Sequence, residues 1–522
     1  MRIGVFRTLW IAMLTSNIGT WAHDVGAAWL MTSLTTSPLV VSLLQAAMGI
    51  PVLLLALPAG SLADFFDRRR LLIGANLCIA IAAALLGGVT MSGQTTPALL
   101  LTFTFLLGMG TAFSNPAWQA TVPDLVPKYL IPAATTLGGV SVNLARAVGP
   151  ALGGLVVALG GPQAVFLLNA LSTLAIVFAL WRWRPQSIRP AVPAERLMGA
   201  MRAGLRFVRY SEQMRPVLVR ALAFILCGSA LWALLPVLGR QRLGLDAARY
   251  GLLLGAVGTG AVVASNFLPV LRRRLNIDHL VGAASMALAA LFVLLAEIRS
   301  FALTLAAMSF IGMAWIALLP SFNVAAVQAV PPWVRARGLA FYNVVVMGGA
   351  AAGAVLWGSV AAAFSVSAAL MLAAAGLAAT VLLVPLFPMR GAEHVDLTPA
   401  GHWPTLEGIT EVIEPDAGPV LVTVEYRIDP ARGDEFLRRV HATRRTRQRD
   451  GGYAWGVYRD TENPSRYLES FLVESWSEHQ RQHTRVTRDD QAQEALARAL
   501  HVGPDPPVVR HYLYAPARRN EQ

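Results

Sequence analysis

Cysteine and charge are both scarce in this chain of 522 residues. Its only cysteines are Cys78 and Cys227, and each lies within an apolar run. Two isolated cysteines predict neither a disulfide framework nor a cysteine metal site, so we expect both to be small buried residues. The sequence has no Gly-x-x-x-x-Gly-Lys-Ser/Thr loop, which argues against ATP as a source of energy.

Hydrophobic residues are abundant instead. They make up 55% of the chain, and the mean hydropathy is +0.53. About 20 apolar residues suffice to cross about 30 Å of hydrocarbon. Twelve such windows are predicted, near residues 8–32, 39–63, 71–91, 98–121, 131–159, 163–181, 216–238, 250–270, 280–297, 301–324, 336–360 and 365–387. The predicted fold class is therefore an all-α polytopic membrane protein with twelve transmembrane helices.

The net charge of +13 fits either a nucleic-acid-binding protein or a membrane protein with arginine-rich loops. The positions of the basic residues favour the membrane. One side would carry Arg2, Arg7, Arg68–Arg70, Lys128, Arg272–Arg274, Arg335, Arg337, Arg390 and the connector of residues 182–215, and the other only Arg240, Arg242, Arg249 and Arg299. Since the basic side of a membrane protein is cytoplasmic, both termini are expected in the cytoplasm. Membrane lipid is an expected partner and nucleic acid is not.

An internal repeat divides the membrane part into two halves. Residues that match at an offset of 204 are Arg68–Arg70 with Arg272–Arg274, Gly108-Met109 with Gly312-Met313, Pro116 with Pro320, Val126-Pro127 with Val330-Pro331, and Gly149 with Gly353. A long repeat of this kind predicts two six-helix halves with a cavity between them near the middle of the bilayer. The predicted domains are residues 1–183 and 216–388 for the halves, 184–215 for a cytoplasmic connector, 389–418 for a linker, 419–516 for a C-terminal domain and 517–522 for a tail.

A charged stretch separates the second and third apolar windows. Its sequence is Gly60-Ser-Leu-Ala-Asp64-Phe-Phe-Asp67-Arg68-Arg69-Arg70. It resembles the loop between helices 2 and 3 of the major facilitator superfamily. The resemblance implies that Gly60, Asp64, Arg68 and Arg69 form a gating latch, in which Asp64 faces the positive N-terminus of another helix. Asp67 stands where the family usually has glycine. The alternative is that these residues are only basic anchors of the membrane.

A second motif lies in the fifth window, where Gly149-Pro150 is followed by Gly153-Gly154. Glycine and proline in mid-membrane kink a helix and allow close packing. The stretch is similar to the helix 5 motif of exporters in the superfamily, which implies antiport and a hinge at Gly149, Pro150, Gly153 and Gly154. A plain packing kink is the alternative.

Charged residues inside the membrane are costly and should face a cavity or a partner. Asp24 lies in the first window beside His23, and Arg146 lies in the fifth. We expect Asp24 and Arg146 to couple transport to protons, the alternative being a static pair that fixes the packing. Many drug–proton antiporters carry an arginine in helix 4, where this chain has Thr104.

Other polar and aromatic residues are candidates for a cavity wall, with interhelical hydrogen bonding as the alternative. In the first half these are Asn17, Trp21, His23, Gln45, Asn115, Trp118, Gln119 and Asn143, and in the second half Trp232, Asn266, Trp315, Asn323 and Asn343. The stretches around Asn17, Asn115 and Asn143 resemble the bacterial branch of enterobactin-exporter-like transporters, also called transmembrane secretion effectors.

The C-terminal part changes to an alternating pattern. Strands are predicted at residues 420–428, 453–459, 466–473 and 508–514, and helices at 430–450, 475–485 and 490–500. This order predicts a ferredoxin-like α+β domain. The domain resembles antibiotic-biosynthesis-monooxygenase-like modules, which pair through their sheets, so a dimer through this domain is among the expected partners. His479 and His483 have metal-ligand spacing, but without an evident third ligand a solvated helix face is the preferred interpretation.

Together these patterns predict a secondary active transporter rather than an enzyme. The resemblance implies proton-coupled export of a small amphipathic molecule, drug-like or siderophore-like, by alternating access across the bacterial inner membrane. Neither a cofactor nor a metal is expected. The alternatives are a membrane-tethered enzyme or a regulatory scaffold whose chemistry lies in the C-terminal domain.

Overall fold

The computed structural model describes residues 4–65, 67–183, 197–389, 396–400 and 413–515. Within these ranges, the side chains at 56, 57, 59–65, 120, 123, 124, 128, 197–201 and 336 are not described. The chain forms two compact units. The first consists of residues 1–194, 218–323 and 342–389, and the second of residues 195–217, 324–341 and 390–522.

Helices make up almost all of the described chain before residue 390. They are α1 (Gly4–Leu34), α2 (Pro38–Phe65), α3 (Arg68–Met91), α4 (Pro97–Leu125), α5 (Ile131–Arg182), α6 (Leu197–Tyr210), α7 (Met214–Val237), α8 (Ala247–Arg274), α9 (Ile277–Glu297), α10 (Phe301–Gln328), α11 (Arg335–Ala363), α12 (Val366–Ala379) and α13 (Leu383–Leu386). Among the described residues, ten stretches are long and apolar enough to cross a membrane. The predicted mostly helical, polytopic membrane architecture is thereby confirmed in its coarse form.

The helix α5 covers the fifth and sixth predicted windows. It runs over 52 residues, but Gly161 interrupts it with a φ of 76° and a ψ of 172°. Glycine adopts this left-handed backbone at no steric cost, and Pro162 follows it as the first residue of a new helical segment. The chain therefore turns at the point where the sequence placed the boundary between the fifth and sixth windows.

The internal repeat is present, but with two offsets. The helices α4 and α10 begin 204 residues apart, at Pro97 and Phe301, and so do α5 and α11, at Ile131 and Arg335. The pairs α2 with α8 and α3 with α9 begin 209 residues apart. The sequence match between the two arginine clusters is therefore not a structural match: Arg68–Arg70 begin α3, whereas Arg272–Arg274 end α8.

The start of α3 explains the departure at Asp67 from the expected glycine. Asp67 is the N-cap of α3, and its side chain accepts hydrogen bonds from the backbone N–H groups of Arg69 (2.9 Å) and Arg70 (3.2 Å). Its φ of −58° is accessible to any residue. Aspartate at this position satisfies N–H groups that glycine would leave to water.

The cysteine prediction is wrong for one of the two residues. Cys78 on α3 is exposed, and Cys227 on α7 is half-buried. Burial was inferred from the apolar sequence around each cysteine. In a membrane helix, however, an apolar sequence surrounds the lipid-facing side as well as the packed side.

The C-terminal part of the second unit contains one four-stranded antiparallel sheet. Its strands are β1 (Val420–Arg427), β2 (Tyr453–Arg459), β3 (Arg466–Val473) and β4 (Val508–Leu513), in the order β2-β3-β1-β4. The helices are α14 (Gly433–Arg449), α15 (Trp476–Arg485) and α16 (Arg488–Arg498). The sheet confirms a small C-terminal α+β fold.

A buried ion network joins the helices to this sheet. Arg447 of α14 bonds Glu469 of β3 (3.1 Å) and Glu494 of α16 (2.6 Å), and Trp455 of β2 donates to Glu469 (2.9 Å). Burial alone would lower the pKa of Arg447, but the charges of Glu469 and Glu494 hold that pKa above its ordinary value. The charges are therefore paired as buried charges must be.

Candidate functional site

One face of α1 carries three of the predicted site residues. Asn17, Trp21 and Asp24 follow at intervals of four and three residues, which places them on one side of the helix. Asn17 donates to the hydroxyl of Ser141 on α5 at 3.4 Å. Asp24 is exposed, while its neighbours His23 and Val25 are buried. The face therefore presents a carboxylate to an accessible space at the middle of a long apolar helix.

Arg146 lies beside this face but is not bonded to Asp24. Its guanidinium stacks over the ring of Trp21, 5.4 Å from the centroid. Its Nε is buried without a hydrogen-bond partner, and no ion pair joins it to Asp24 among the described residues. Trp21 therefore lies next to both predicted coupling residues, and their roles remain predictions.

The second half contributes an aromatic neighbour. Tyr250 of α8 lies within electrostatic range of Asp24. Its ring stacks on Trp29 of α1, with centroids 5.7 Å apart and planes at 29°. Tyr250 is only 3% exposed. The stack of Tyr250 on Trp29 is thus an aromatic contact between the two halves.

Further along α1, polar residues from the end of α7 contact the first half. The helix α7 ends in a π-helix, Leu238–Arg242. From it, Arg240 stacks over Trp29 at 5.1 Å and donates to the Trp29 carbonyl at 3.4 Å. Gln241 donates to the carbonyl of Thr36 at 3.0 Å. Arg240 and Gln241 thus join the π-helix after α7 to α1 and to the residues that follow it.

The glycines of the predicted hinge lie at close helix crossings. An added Cβ on Gly149 would be 2.6 Å from the Cβ of Trp21, and one on Gly153 would be 2.6 Å from the Cα of Ala22. On Gly154 it would be 2.5 Å from the carbonyl oxygen of Ala247. Within α5 the backbone departs from helical geometry only at Gly161. The three glycines therefore serve close packing in this structure, and bending at Pro150 stays a prediction.

The predicted latch is only partly described. Gly60 and Asp64 belong to α2, but the surroundings of Gly60 and the side chain of Asp64 lie outside the described part. Arg69 donates from Nε to the carbonyl of Leu180 (2.8 Å) and from Nη2 to that of Trp181 (2.5 Å). A guanidinium on the last carbonyls of a helix complements their partial negative charge. Arg69 thus fastens the start of α3 to the end of α5, whereas the latch role of Gly60, Asp64, Arg68 and Arg69 remains a prediction.

His23 faces away from the Asp24 side of α1. It is 3% exposed and its ring lies 4.7 Å from that of Phe166 on α5. Neither ring nitrogen has a hydrogen-bond partner in the described part of the chain. Its surroundings are those of a packed side chain rather than a cavity wall.

The remaining candidates divide between accessible and packed positions. Trp118 packs against an apolar cluster that includes Leu72 and Ala117. In the second half, Trp315 is buried between Phe224 and Trp232. Accessible positions are Asn115, Gln119, Asn143, Asn266, Asn323 and Asn343, and Gln45 is half-buried. No contact recorded for these accessible residues singles out a binding role.

Sequence reasoning missed a buried ion pair in the second half. Arg220 of α7, 3% exposed, pairs with Asp278 at the start of α9. Asp278 also accepts a hydrogen bond from the backbone N–H of Met389 at 3.2 Å. Both charges lie at the ends of apolar windows, where a charge is expected, so no pattern in the sequence indicates that they meet.

The C-terminal domain gathers three histidines. His479 of α15 is fully buried, its Nε2 lies 3.4 Å from that of His483, and its ring centroid lies 4.6 Å from that of His511 on β4. Burial, together with the neighbouring imidazoles, lowers the pKa of His479 to about 3. Among the described residues, no group of three or more His, Cys, Asp or Glu has a geometry that could hold a metal ion.

The amino-acid sequence matches a known protein family. Residues 1–520 match the family described as transmembrane secretion effector. The chain is 23% identical over 253 residues to the staphyloferrin A transporter of Staphylococcus aureus (48% of this chain, 64% of the relative), and 24% over 240 residues to macrolide efflux protein A of Streptococcus pyogenes (45% and 58%). It is 25% identical over 342 residues to multidrug efflux pump Tap of Mycolicibacterium fortuitum (62% and 81%). The first two matches span less than two thirds of the relatives.

Solved structures share the fold. The peptide-transporter-family protein PepTSo matches with a TM-score of 0.61 at 11% identity, over 74% of this chain and 98% of that one. The nucleoside transporter NupG matches with a TM-score of 0.56 at 12% identity, over 74% and 99%. At such identities the likeness concerns the fold alone.

Proposed function

Because the chain belongs to the transmembrane secretion effector family, within the major facilitator superfamily, we propose that it exports a small amphipathic molecule by proton-coupled alternating access. The relatives named for staphyloferrin, macrolide and multidrug transport support a siderophore-like or drug-like substrate. They also favour a transporter over a membrane-tethered enzyme.

The observation that carries the proposal is the environment of Asp24. Placing a carboxylate in the middle of a membrane helix costs free energy, so such residues usually serve a function. Asp24 is exposed, shares its helical face with Asn17 and Trp21, and has no ion-pair partner among the described residues. A carboxylate with no fixed counter-charge is free to bind and release a proton, which a static structural pair is not.

Contacts between the halves support alternating access. Close crossings are found at Gly154 with Ala247 and Gly251, and at Gly258 with Ala147. Toward the arginine-rich side, by contrast, Asn143 and Leu144 of α5 and Phe267 of α8 are exposed. We interpret this arrangement as an inward-facing state, closed on the arginine-poor side by Arg240 and Trp29.

The proposal includes twelve spans in the bacterial inner membrane. Ten candidates are found, of which α5 counts as one. Dividing α5 at Gly161 adds an eleventh span, and α1, a helix of 31 residues, is long enough to be the twelfth. An even number of spans agrees with cytoplasmic termini and with arginine-rich cytoplasmic loops.

We assign the C-terminal domain to the ferredoxin-like class. Its element order β-α-β-β-α-α-β and its strand order β2-β3-β1-β4 support that assignment. Pairing between two copies would use the face of the sheet that its own helices leave uncovered. Tyr458 and Tyr512, which are 60% and 48% exposed, lie on that face.

Efflux measurements test the proposal. Cells that express the chain are loaded with a fluorescent macrolide, a siderophore or a dye, and efflux is followed with and without a protonophore. Efflux is expected from wild type, and the protonophore or Asp24→Asn should reduce its initial rate at least tenfold. The matched control is Asp246→Asn, because Asp246 is the N-cap of α8 and asparagine caps equally well.

Two outcomes would contradict the proposal. Efflux that is unaffected by the protonophore would exclude proton coupling. Efflux that survives in the Asp24→Asn variant but still needs the proton gradient would move coupling to another group. Both variants must reach the membrane in amounts equal to wild type.

A further inference from the structure

The C-terminal domain does not form a compact unit by itself. Its unit also contains the connector helix α6 and residues 324–341, which link α10 to α11. Three ion pairs run between the connector and the domain: Arg202 with Glu474, Arg206 with Glu478, and Glu212 with Arg445. The domain is therefore docked on two loops of the membrane part rather than merely tethered behind them.

The centre of this contact is Glu478. Arg485 of the same helix holds its carboxylate with two hydrogen bonds, of 2.7 and 3.1 Å. Arg206 of α6 bonds the same carboxylate from the connector. Burial would raise the pKa of Glu478, but the hydrogen bonds and charges of Arg485 and Arg206 outweigh it and hold that pKa below its ordinary value. Glu478 is thus an ionised group shared by the domain and the connector.

An aromatic residue from the loop before α11 completes the cluster. The guanidinium of Arg485 lies 4.7 Å from the ring centroid of Trp333. Phe207 of α6 is 1% exposed, and its ring packs edge-to-face with that of Trp333, with centroids 6.1 Å apart. Cation–π and edge-to-face contacts of this kind are strongest when water is excluded. Connector, loop and domain therefore meet in one cluster of mostly buried side chains: Arg206, Phe207, Trp333, Glu478 and Arg485.

The other two pairs differ from the central one in exposure. The side chains of Arg202 and Glu474 are 61% and 59% exposed, and those of Arg445 and Glu212 are 64% and 63% exposed. The side chains of Arg206 and Glu478 are only 25% and 11% exposed. Exposed pairs contribute little, whereas loss of one partner from a buried pair is costly. Docking should therefore depend on Arg206, and hardly on Arg202.

We propose that the C-terminal domain is a brake on transport, which acts by docking through this cluster on the connector and on the loop between α10 and α11. The inference rests on the proposed transport function. The connector joins the two halves that move in alternating access, and the loop joins two helices of one half. A domain bound to both restrains their relative motion, so its release should speed the cycle.

The test compares Arg206→Gln with Arg202→Gln in the full chain. The two residues lie one turn apart on α6 and undergo the same chemical change, and neither belongs to the fold of the domain. Hydrogen exchange by mass spectrometry on residues 197–210 reports docking in detergent. The initial rate of substrate efflux, at equal expression, reports braking. Trp333→Leu removes the aromatic ring that the loop between α10 and α11 contributes to the cluster.

Arg206→Gln and Trp333→Leu are each expected to raise amide exchange in α6 at least tenfold and the initial efflux rate at least twofold, and Arg202→Gln to change neither. Unchanged exchange in α6 would overturn the docking role of the cluster. Faster exchange with an unchanged efflux rate would overturn the brake. Amide exchange is measured without substrate, so it reports on docking even if the chain transports none of the tested compounds. A lack of transport would contradict the proposed function but not the docking.

Discussion

Arg69 and Asp278 are structural counterparts in the two halves. Each is the second residue of its helix, α3 and α9, and the two helices begin 209 residues apart. Arg69 donates to the carbonyls of Leu180 and Trp181 near the end of α5, and Asp278 accepts from the N–H of Met389, three residues after the end of α13. Side chains of opposite charge at equivalent helix starts thus bond backbone groups of opposite polarity.

The second of these ties should be the costlier one to break. Asp278→Asn would leave Arg220 buried without its counter-charge. We expect the free energy of unfolding to fall by about 3 kcal/mol, measured by thermal or denaturant unfolding of the detergent-solubilised protein. Arg70→Gln is the control, because Arg70 is exposed at the same turn of the repeated fold. Equal stabilities of these two variants would contradict a structural role of the buried pair.

The crossing of α5 and α8 makes a prediction about Gly154. A methyl group there would lie 2.5 Å from the carbonyl oxygen of Ala247 and 2.9 Å from the Cα of Gly251. Both atoms are backbone, so Gly154→Ala must move the helices apart. We expect at least a tenfold loss of efflux at normal membrane insertion. Gly139→Ala in the same helix is the matched control, since nothing lies within 4 Å of its added Cβ; equal efflux by both variants would show that this crossing need not close.

The contact between Arg240 and Trp29 predicts how the arginine-poor side opens. A cation–π contact contributes about 0.5–2 kcal/mol, so Arg240→Gln should increase the open population roughly 2- to 30-fold. The measurement is the rate at which an impermeant maleimide, added from outside, labels a cysteine introduced at Ala28 in a chain without native cysteines. Arg299→Gln is the control, because Arg299 is an exposed arginine on the same side. Equal labelling rates in the two variants would argue against closure by Arg240.

How far the sequence predicts this fold depends on the kind of signal. Hydrophobic length located the membrane helices, and even the break of α5 at Gly161 was marked by glycine and proline. Strict alternation located the strands, of which β2 and β3 have the predicted bounds. These signals are local, because the membrane and the sheet each impose one period on the chain.

Contacts between distant segments were not predictable in the same way. The connector was expected only as a basic linker, yet α6 forms within it, with Ala203 and Phe207 buried. Their spacing of four residues was a weak sign of a helix face, but the partner Trp333 lies more than a hundred residues away. Whether Asp24 and Arg146 form an ion pair was likewise not predictable, because the sequence does not determine where a long arginine side chain points.

The cap of α3 makes a prediction that separates capping from gating. Asp67→Ala removes the acceptor for two backbone N–H groups and should lower the free energy of unfolding by about 1 kcal/mol. Asp67→Asn keeps an acceptor and should be nearly neutral. Unfolding of both variants in detergent is the measurement. If efflux falls strongly in Asp67→Asn while stability is retained, the charge of Asp67 has a role in the latch beyond capping.

The three clustered histidines predict an acid-sensitive C-terminal domain. Burial, with the charges of His511 and His483 added, lowers the pKa of His479 to about 3, and burial also lowers the pKa of His483 and of His511. The neutral partner Gln482 faces His479 as well. Below a pH of about 6.5 these histidines bind protons in the unfolded chain but not in the folded domain. Stability is therefore complete above that pH and falls as the pH decreases, by up to about 1.4 kcal/mol per pH unit for His479.

Hydrogen exchange in the full chain, corrected for the intrinsic effect of pH, should show this loss in α15 and β4 between pH 7.5 and 5.5. The membrane helices α7 and α9 serve as the internal reference, because no histidine of this cluster lies in them. His511→Leu removes one titrating group and one electrostatic neighbour of His479, so the slope of protection against pH should decrease. Protection that stays constant down to pH 5.5 would mean that the folded domain takes up these protons as readily as the unfolded chain, which its packing around His479 argues against.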